Sequence, residues 1–327
     1  MIPDALEKFA LGGPPQWALV RGQSRTSPVL LLVQQGPGFP IIHEAPVMER
    51  QLHLEDDFRV VYWDQRGTGK SYHPDNLESL RLETAVADVR RMVRALCERL
   101  RVPHVDIVGF SVGASLALLA CTETGLPVRS LTCVGADVDL LESERFALQF
   151  AISEAERRGH HRALRALRGI GSPPHTEPKR FMTRARWVAN FGGVHRRKTF
   201  LSLLRRTLGQ LWSSPHYSLR EIFGALRGME ATQERMLPSL SGFNLLDRPL
   251  HLPVPAAIFQ GRHDAVAPPR FATVLADRLN ARLVWFEDSA HMPHDEEPAR
   301  FAEELRSFIG SLAPEMARTE RHLVARK

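Results

Sequence analysis

The sequence is poor in cysteine and in long apolar runs, and each scarcity removes a class of protein. Its three cysteines, Cys97, Cys121 and Cys133, are odd in number and show neither CxxC nor Cys/His ligand spacing. No disulfide framework and no zinc site is therefore expected. No H-E-x-x-H pattern occurs either, so metal catalysis is not indicated and no cofactor is expected. Aliphatic runs such as Val29–Val33 stop far short of the roughly 20 residues that span a bilayer. The opening MIPDALEKFA lacks a basic stretch followed by an apolar one, so the expectation is a cytoplasmic protein without a membrane partner. Aromatic residues are only 7% of the chain, and they are not interleaved with basic residues as in nucleic-acid binders, so no nucleic-acid partner is expected. What remains, 43% hydrophobic and 24% charged residues in a chain of 327, describes an ordinary globular protein able to bury one large core or two modest ones.

The net charge of +6 is uneven. Between Leu140 and Leu250, 19 Lys and Arg stand against 9 Asp and Glu, leaving 24 against 28 elsewhere. Such a basic segment suits an acidic ligand, or is simply a solvated Arg-rich helical surface.

Seven β-rich runs lie outside that segment: Trp17–Val20, Val29–Val33, Arg59–Trp63, Val105–Gly109, Arg129–Val134, Ala256–Gln260 and Arg282–Phe286. Most are continuously apolar rather than alternating, the mark of strands buried on both faces of a parallel sheet. Between them, Glu83–Leu100 places Val86, Val89, Val93, Leu96 and Leu100 at helical spacing, and Pro268–Leu279 and Pro298–Ile309 are opened by proline. The alternation predicts an α/β protein with a doubly wound, mostly parallel sheet, a first core part over 1–138 and a second over 250–313. The stretch 139–249 predicts an inserted helical cap, punctuated at Pro173-Pro174, Gly192-Gly193 and Ser213-Ser214-Pro215. Residues 314–327 are polar and predict a disordered tail.

The chemistry is most legible in VDIVGFSVGASLALLAC, residues 105–121. A buried strand runs into Gly109-Phe110-Ser111-Val112-Gly113, and an Ala/Leu-rich helix follows, the strand–turn–helix context of a G-x-S-x-G nucleophile elbow. Glycines two residues either side of Ser111 allow the sharp turn, and the first amides of the helix, Val112 foremost, are aimed where an oxyanion would form. A serine hydroxyl needs a base, and the base a carboxylate. Asp264 follows the run Ala256–Gln260, and His291 follows Arg282–Phe286, both at strand C-termini where open α/β sheets place their sites. His294 and His263 are rival histidines and Asp288 a rival acid. The loop Gln34-Gln35-Gly36-Pro37-Gly38-Phe39-Pro40, after an early strand, is the candidate second source of oxyanion amides. Gln35 and Phe110 flank these elements and are the candidate substrate contacts.

On these motifs, residues 17–312 resemble the α/β-hydrolase superfamily, and within it the proline iminopeptidase (prolyl aminopeptidase) branch. That branch has HGGPG, DQRGxGxS, GxSxG and GxxDxxxP with a late Gly-His. Here stand Gln34-Gln35-Gly36-Pro37-Gly38, Asp64-Gln65-Arg66-Gly67-Thr68-Gly69-Lys70-Ser71, the elbow, Gly261-Arg262-His263-Asp264 through Pro268, and Ala290-His291. The resemblance implies oxyanion amides from Gly36 and Val112, with Asp64 and Arg66 buttressing loops. The chain departs from the branch where Gln34-Gln35 replaces His-Gly.

The function expected is a serine hydrolase of a small molecule or short peptide, cleaving an ester, amide or peptide-like bond through an acyl-enzyme of Ser111. Acyl transfer or cyclisation by the same triad, or ligand binding without turnover, are the alternatives. The resemblance also implies recognition of a free amine by carboxylates of the cap, and the cation excess there opposes it, because desolvating an ammonium among cations is unfavourable. Arg196-Arg197-Lys198 and Arg205-Arg206 are candidates for meeting a carboxylate instead. Phe181, Trp187, Phe191, Phe200, Trp212, Tyr217 and Phe223 are candidates for an apolar pocket or for core packing.

Overall fold

The computed structural model describes residues 4–312; the expected disordered tail, 314–327, lies outside them. Continuous Val, Ile and Leu runs form the centre of an eight-stranded sheet: β1 Ala5–Phe9, β2 Gln16–Arg21, β3 Val29–Val33, β4 Arg59–Asp64, β5 Val105–Phe110, β6 Val128–Val134, β7 Ala256–Gly261 and β8 Arg282–Phe286. The order is β1-β2-β4-β3-β5-β6-β7-β8. The β1–β2 and β2–β4 pairs are antiparallel, and every other pairing is parallel. All seven anticipated runs are strands. The eighth, β1, escaped the sequence reading because ALEKF is short, partly exposed and half polar, as an edge strand is.

The two faces of the sheet divide by residue parity. Leu31, Val33, Val61 and Trp63 face α3 (Leu82–Leu100) and α4 (Val112–Cys121), together with Val89, Val93, Leu116 and Ala117. Leu30, Leu32, Val60 and Tyr62 face α1 (Ala45–Leu52) and the last long helix, with Met48, Leu52, Phe301, Leu305 and Phe308. Both faces are covered, and β3, at the centre, is apolar at every position. The remaining core helices are α2 (Pro74–Leu77), α10 (Pro269–Leu279), α11 (Pro293–Glu296) and α12 (Pro298–Ser311), and α10 to α12 each begin with proline, whose missing N–H costs nothing there.

Between β6 and β7 lie α5 (Leu140–Arg157), α6 (His161–Gly169), α7 (Pro178–Asn190), α8 (Phe200–Ser213) and α9 (Leu219–Leu240). Alanines 147, 151, 155 and 163 let α5 approach its neighbours closely around Leu167, Trp187, Val188 and Phe191. The outgoing and returning chain passages run side by side: Leu140 N donates to Phe243 O at 3.0 Å and Leu245 N to Val138 O at 2.7 Å. Among the described residues no helix is long and apolar enough to cross a membrane.

Phe259 sits fully buried in β7 with ring centroids 5.4 Å from Phe286 and 5.5 Å from Phe301. Phe259→Ala is expected to destabilise the protein by about 3–5 kcal/mol, read as a fall in the urea midpoint with an unchanged slope.

Candidate active site

At the turn from β5 into α4, Ser111 has φ 53° and ψ −126°, outside the regions an L-residue ordinarily adopts. Such a conformation costs on the order of 1–3 kcal/mol and persists only where the surroundings hold it. Here Ser111 N donates to Val134 O at 2.8 Å, and Ser111 O accepts from Ala114 N at 2.9 Å. The flanking glycines are required by space. A Cβ on Gly113 would lie 2.1 Å from Gln34 O, and one on Gly109 would lie 2.5 Å from Ala114 Cα. The turn therefore packs directly against the loop after β3, with Val112 as the first residue of α4, its N–H lacking an intrahelical partner.

Asp264 and His291 come together at the C-terminal ends of β7 and β8. His291 Nδ1 lies 2.8 Å from Asp264 Oδ2. The same carboxylate accepts from Gln260 Nε2 at 3.0 Å and, through Oδ1, from Val266 N at 2.7 Å and Ala267 N at 2.9 Å. Every lone-pair direction is thus committed, which fixes the imidazole. Burial alone disfavours the imidazolium of His291, but the charge and hydrogen bond of Asp264 outweigh it and raise the pKa above the ordinary 6.5. The rivals are placed differently. His294 packs its ring 4.7 Å from Phe110, and burial lowers it to about 4. His263 and Asp288 are exposed.

Ser111 has one neighbour that the sequence reading missed. Ser111 Oγ donates to Asp137 Oδ2 at 3.3 Å, and Ser115 Oγ holds the Asp137 backbone carbonyl at 2.5 Å. Asp137 is 4% exposed, and burial pushes its carboxyl up to about 6 despite the nearby His291. The available signal was position: it follows β6, the strand beside β5, at the same sheet edge as Asp264 and His291.

The substituted loop is built into the framework. Gln34 is buried, donating to Thr68 Oγ1 at 3.2 Å and accepting from Gln65 N at 3.3 Å. Asp64 accepts from Ile41 N at 2.8 Å, Ile42 N at 3.0 Å, Lys70 N at 2.8 Å and the Tyr217 hydroxyl. Arg66 is paired with Asp88 at 2.6 Å. Gly36, Ser111, Val112 and Asp137 line one cavity of about 90 Å³, and Gln35, Gly36, Ser111 and His291 line a neighbouring one of about 230 Å³. Phe110 is not gathered into either; its ring is 5% exposed and stacks on Phe301.

The larger cavity is mostly apolar, walled by Phe39, Phe181, Phe200, Leu203, Met229 and Met292. Of the other anticipated aromatics, Trp187, Phe191 and Tyr217 are buried and Trp212 and Phe223 are exposed. Its polar lining is unusual for lacking partners: both ring nitrogens of His43 and Nε2 of Gln210 are buried without hydrogen bonds among the described residues. Burial lowers His43 to about 3 and raises the adjoining Glu44 to about 7.

The basic residues of the insertion go elsewhere. Arg157 and Arg158 pair with Glu154, Arg168 with Glu156, and Arg180 with Glu177 on the surface. Lys198 meets a carboxylate, but one from the chain itself: Asp295, at 2.6 Å, which also receives Arg206. Burial opposes the charge of Asp295, yet the His195, Lys198 and Arg206 contacts hold it far below the carboxylate range. The same segment is tied to the catalytic loops by Ala265 N to Gly193 O and His291 N to Val194 O, both 3.0 Å.

A sheet of this order with a strained serine at its elbow and a His–Asp pair at its C-terminal edge defines a hydrolase fold, and the sequence matches the α/β hydrolase fold family over residues 28–298. The chain belongs to that family and is a hydrolase of its proline iminopeptidase-like branch. It is similar to a probable aminopeptidase, YbaC, of Bacillus subtilis (strain 168), 27% identical over 318 residues covering 93% of this chain and 98% of the relative. It is also similar to a proline iminopeptidase of Heyndrickxia coagulans, 24% identical, covering 79% and 84%. Among solved structures, that of VinJ superposes with a TM-score of 0.68 at 20% identity, covering 94% and 99%, a likeness of fold.

The two neighbouring histidines are expected to titrate apart. By NMR, His291 should protonate above pH 6.5 and His294 near 4, and Asp264→Asn should move His291 downward while leaving His294 in place.

Proposed function

We propose that the protein is a serine hydrolase that cleaves an ester, amide or peptide-like bond of a small molecule or short peptide through an acyl-enzyme. The single observation that carries this reading is the 2.8 Å bond between His291 Nδ1 and Asp264 Oδ2 at a cavity shared with Ser111. Ser111 Oγ attacks the carbonyl carbon as His291 Nε2 takes its proton, and Asp264 stabilises the imidazolium that results. The amides of Gly36 and Val112 receive the oxyanion, a contribution in which one donor is typically worth about 10²–10³ in kcat. His291 then protonates the leaving group, and water, deprotonated by the same imidazole, releases the acyl product.

The Ser111 hydroxyl points to Asp137, so attack requires rotation about the Ser111 side-chain bond; catalytic contacts that tighten only when substrate binds are ordinary. We read 1–138 and 250–313 as the two parts of the catalytic core and 139–249 as a cap that supplies Phe181, Phe200 and Leu203 to the wall of the apolar cavity. The names of the relatives, aminopeptidase and proline iminopeptidase, favour a peptide-like bond.

A fluorophosphonate probe should label Ser111, and Ser111→Ala should abolish labelling and lower kcat on p-nitrophenyl esters or aminoacyl-nitroanilides by about 10⁴–10⁶. Unchanged turnover in Ser111→Ala would refute the assignment.

A further inference from the structure

The large apolar side chains that stand in solvent are gathered on one part of the molecule. Among the described residues, Leu201, Leu204, Leu208 and Trp212 stand exposed on α8 and Leu219, Phe223 and Leu226 on α9, with Val274 alone elsewhere. Scattered singly such residues need no explanation, but a gathered set marks a surface that something covers. On α8 the steps of three, four and four residues put the set in one stripe, and on α9 the steps of four and three do the same. Trp212 and Leu219 flank the short connection 214–218, so the stripes adjoin there. Trp212 is 70% exposed and Phe223 64%, the reverse of what packing within the chain would leave. Beyond Leu226 the same side of α9 turns acidic at the exposed Glu230 and Glu234, which bounds the apolar face.

The charges beside the stripes decide what fits. Arg205 on α8 and Arg220 and Arg227 on α9 are exposed and form no ion pair among the described residues. The exposed Arg157, Arg168 and Arg180 of the preceding helices are, by contrast, paired within the insertion. A second copy of the chain fits poorly, because an isologous contact would set the unpaired arginines against themselves. An apolar face flanked by free cations, with a tryptophan and a phenylalanine in it, is complementary to the headgroup region of an anionic bilayer.

The face is also continuous with the site. Phe200, Leu203 and Leu204 line the cavity shared by Ser111 and His291, and Leu204 belongs to the exposed stripe as well. An acidic protein seated on α8 and α9 would leave that continuity unused. A lipid phase uses it, since an apolar acyl group would leave the bilayer where the cavity wall begins. We propose that the α8–α9 face docks on an anionic lipid bilayer, and that the carbonyl compounds cleaved at Ser111 are amphiphiles drawn from it. The protein lies on the membrane and does not cross it: leucine, tryptophan and phenylalanine side chains enter the headgroup region and the arginines meet phosphates. The docking stands on the surface alone; the supply of substrate rests on the reading of Ser111 as nucleophile.

The test floats the purified protein with vesicles of phosphatidylcholine alone and of phosphatidylcholine with an equal share of phosphatidylglycerol. Partition into the anionic vesicles should exceed that into the neutral ones by roughly 10- to 100-fold and fall as salt is raised. Trp212→Ser combined with Phe223→Ser should lower it by roughly 10- to 100-fold, and Arg220→Gln combined with Arg227→Gln by roughly 10-fold. Hydrolysis of p-nitrophenyl acetate in solution should be unchanged in both, while turnover of a long-chain p-nitrophenyl ester held in the anionic vesicles falls with the lost partition. Equal partition into the two vesicle types, partition into neither, or partition that both variants leave intact would overturn the docking. So would a wild-type dimer in sedimentation that Trp212→Ser combined with Phe223→Ser dissolves, which would give the face to a second copy. Undiminished turnover of the vesicle-held ester by variants that no longer dock would overturn the supply of substrate. Failure of a fluorophosphonate to label Ser111 in protein that still docks would instead overturn the hydrolase reading and leave the docking standing.

Discussion

The site depends on one strained residue. Ser111 is held at positive φ by the parallel pairing of β5 with β6, through its amide bond to Val134 O, and by the start of α4. Because the elbow has no room for side chains at Gly109 and Gly113, it can lie against the backbone of Gln34, which brings the loop after β3 to Ser111. The strain is offset by sheet and helix packing on both sides, so the fully buried β3 and β5 hold the geometry of the elbow although their side chains lie in the core.

Charge in this molecule is sorted by depth. Several cations of the insertion form exposed pairs within it, Arg184 forms a buried one with Glu144, and Lys198 and Arg206 meet Asp295, a buried carboxylate beside the His291 loop. Exposed pairs are worth little individually. The Asp295 cluster, by contrast, joins α8 to the element that follows His291, alongside the backbone hydrogen bonds to Gly193 and Val194. The insertion and the loops bearing Asp264 and His291 are therefore mechanically connected. Close to Ser111 stand carboxylates from the loops after β6 and β7 and from α5, together with the guanidinium of Arg184, which pairs with Glu144.

Much of the architecture was legible because buried parallel strands leave an unmistakable pattern. All seven apolar runs became strands, and the long helix read from Val86, Val89, Val93 and Leu96 spans Leu82–Leu100. The polar, partly exposed β1 left no such signal. In the site, Ser111, Asp264 and His291 could be read because each follows a recognisable strand. Gln34 stands where the branch has histidine; in place it bridges the β3 and β4 loops through Thr68 and Gln65. Phe110 looked like a substrate contact from its place beside Ser111, but successive residues of a strand point to opposite faces, and its ring packs beneath the site on His294 and Phe301.

The sequence by itself determined the fold class, the elbow and the Asp264–His291 order, because these follow from local periodicity, turn stereochemistry and the rule that sites gather at strand C-termini. Tertiary structure alone decided which charges matter. A count of residues along the chain cannot tell a solvated ion pair from a buried one, since Coulomb interactions depend on distance and on the medium between the charges. Only the folding of β6 beside β5 sets Asp137 against Ser111, and only the docking of α8 sets Arg206 against Asp295. An aspartate that the linear charge map does not distinguish thus lies beside Ser111.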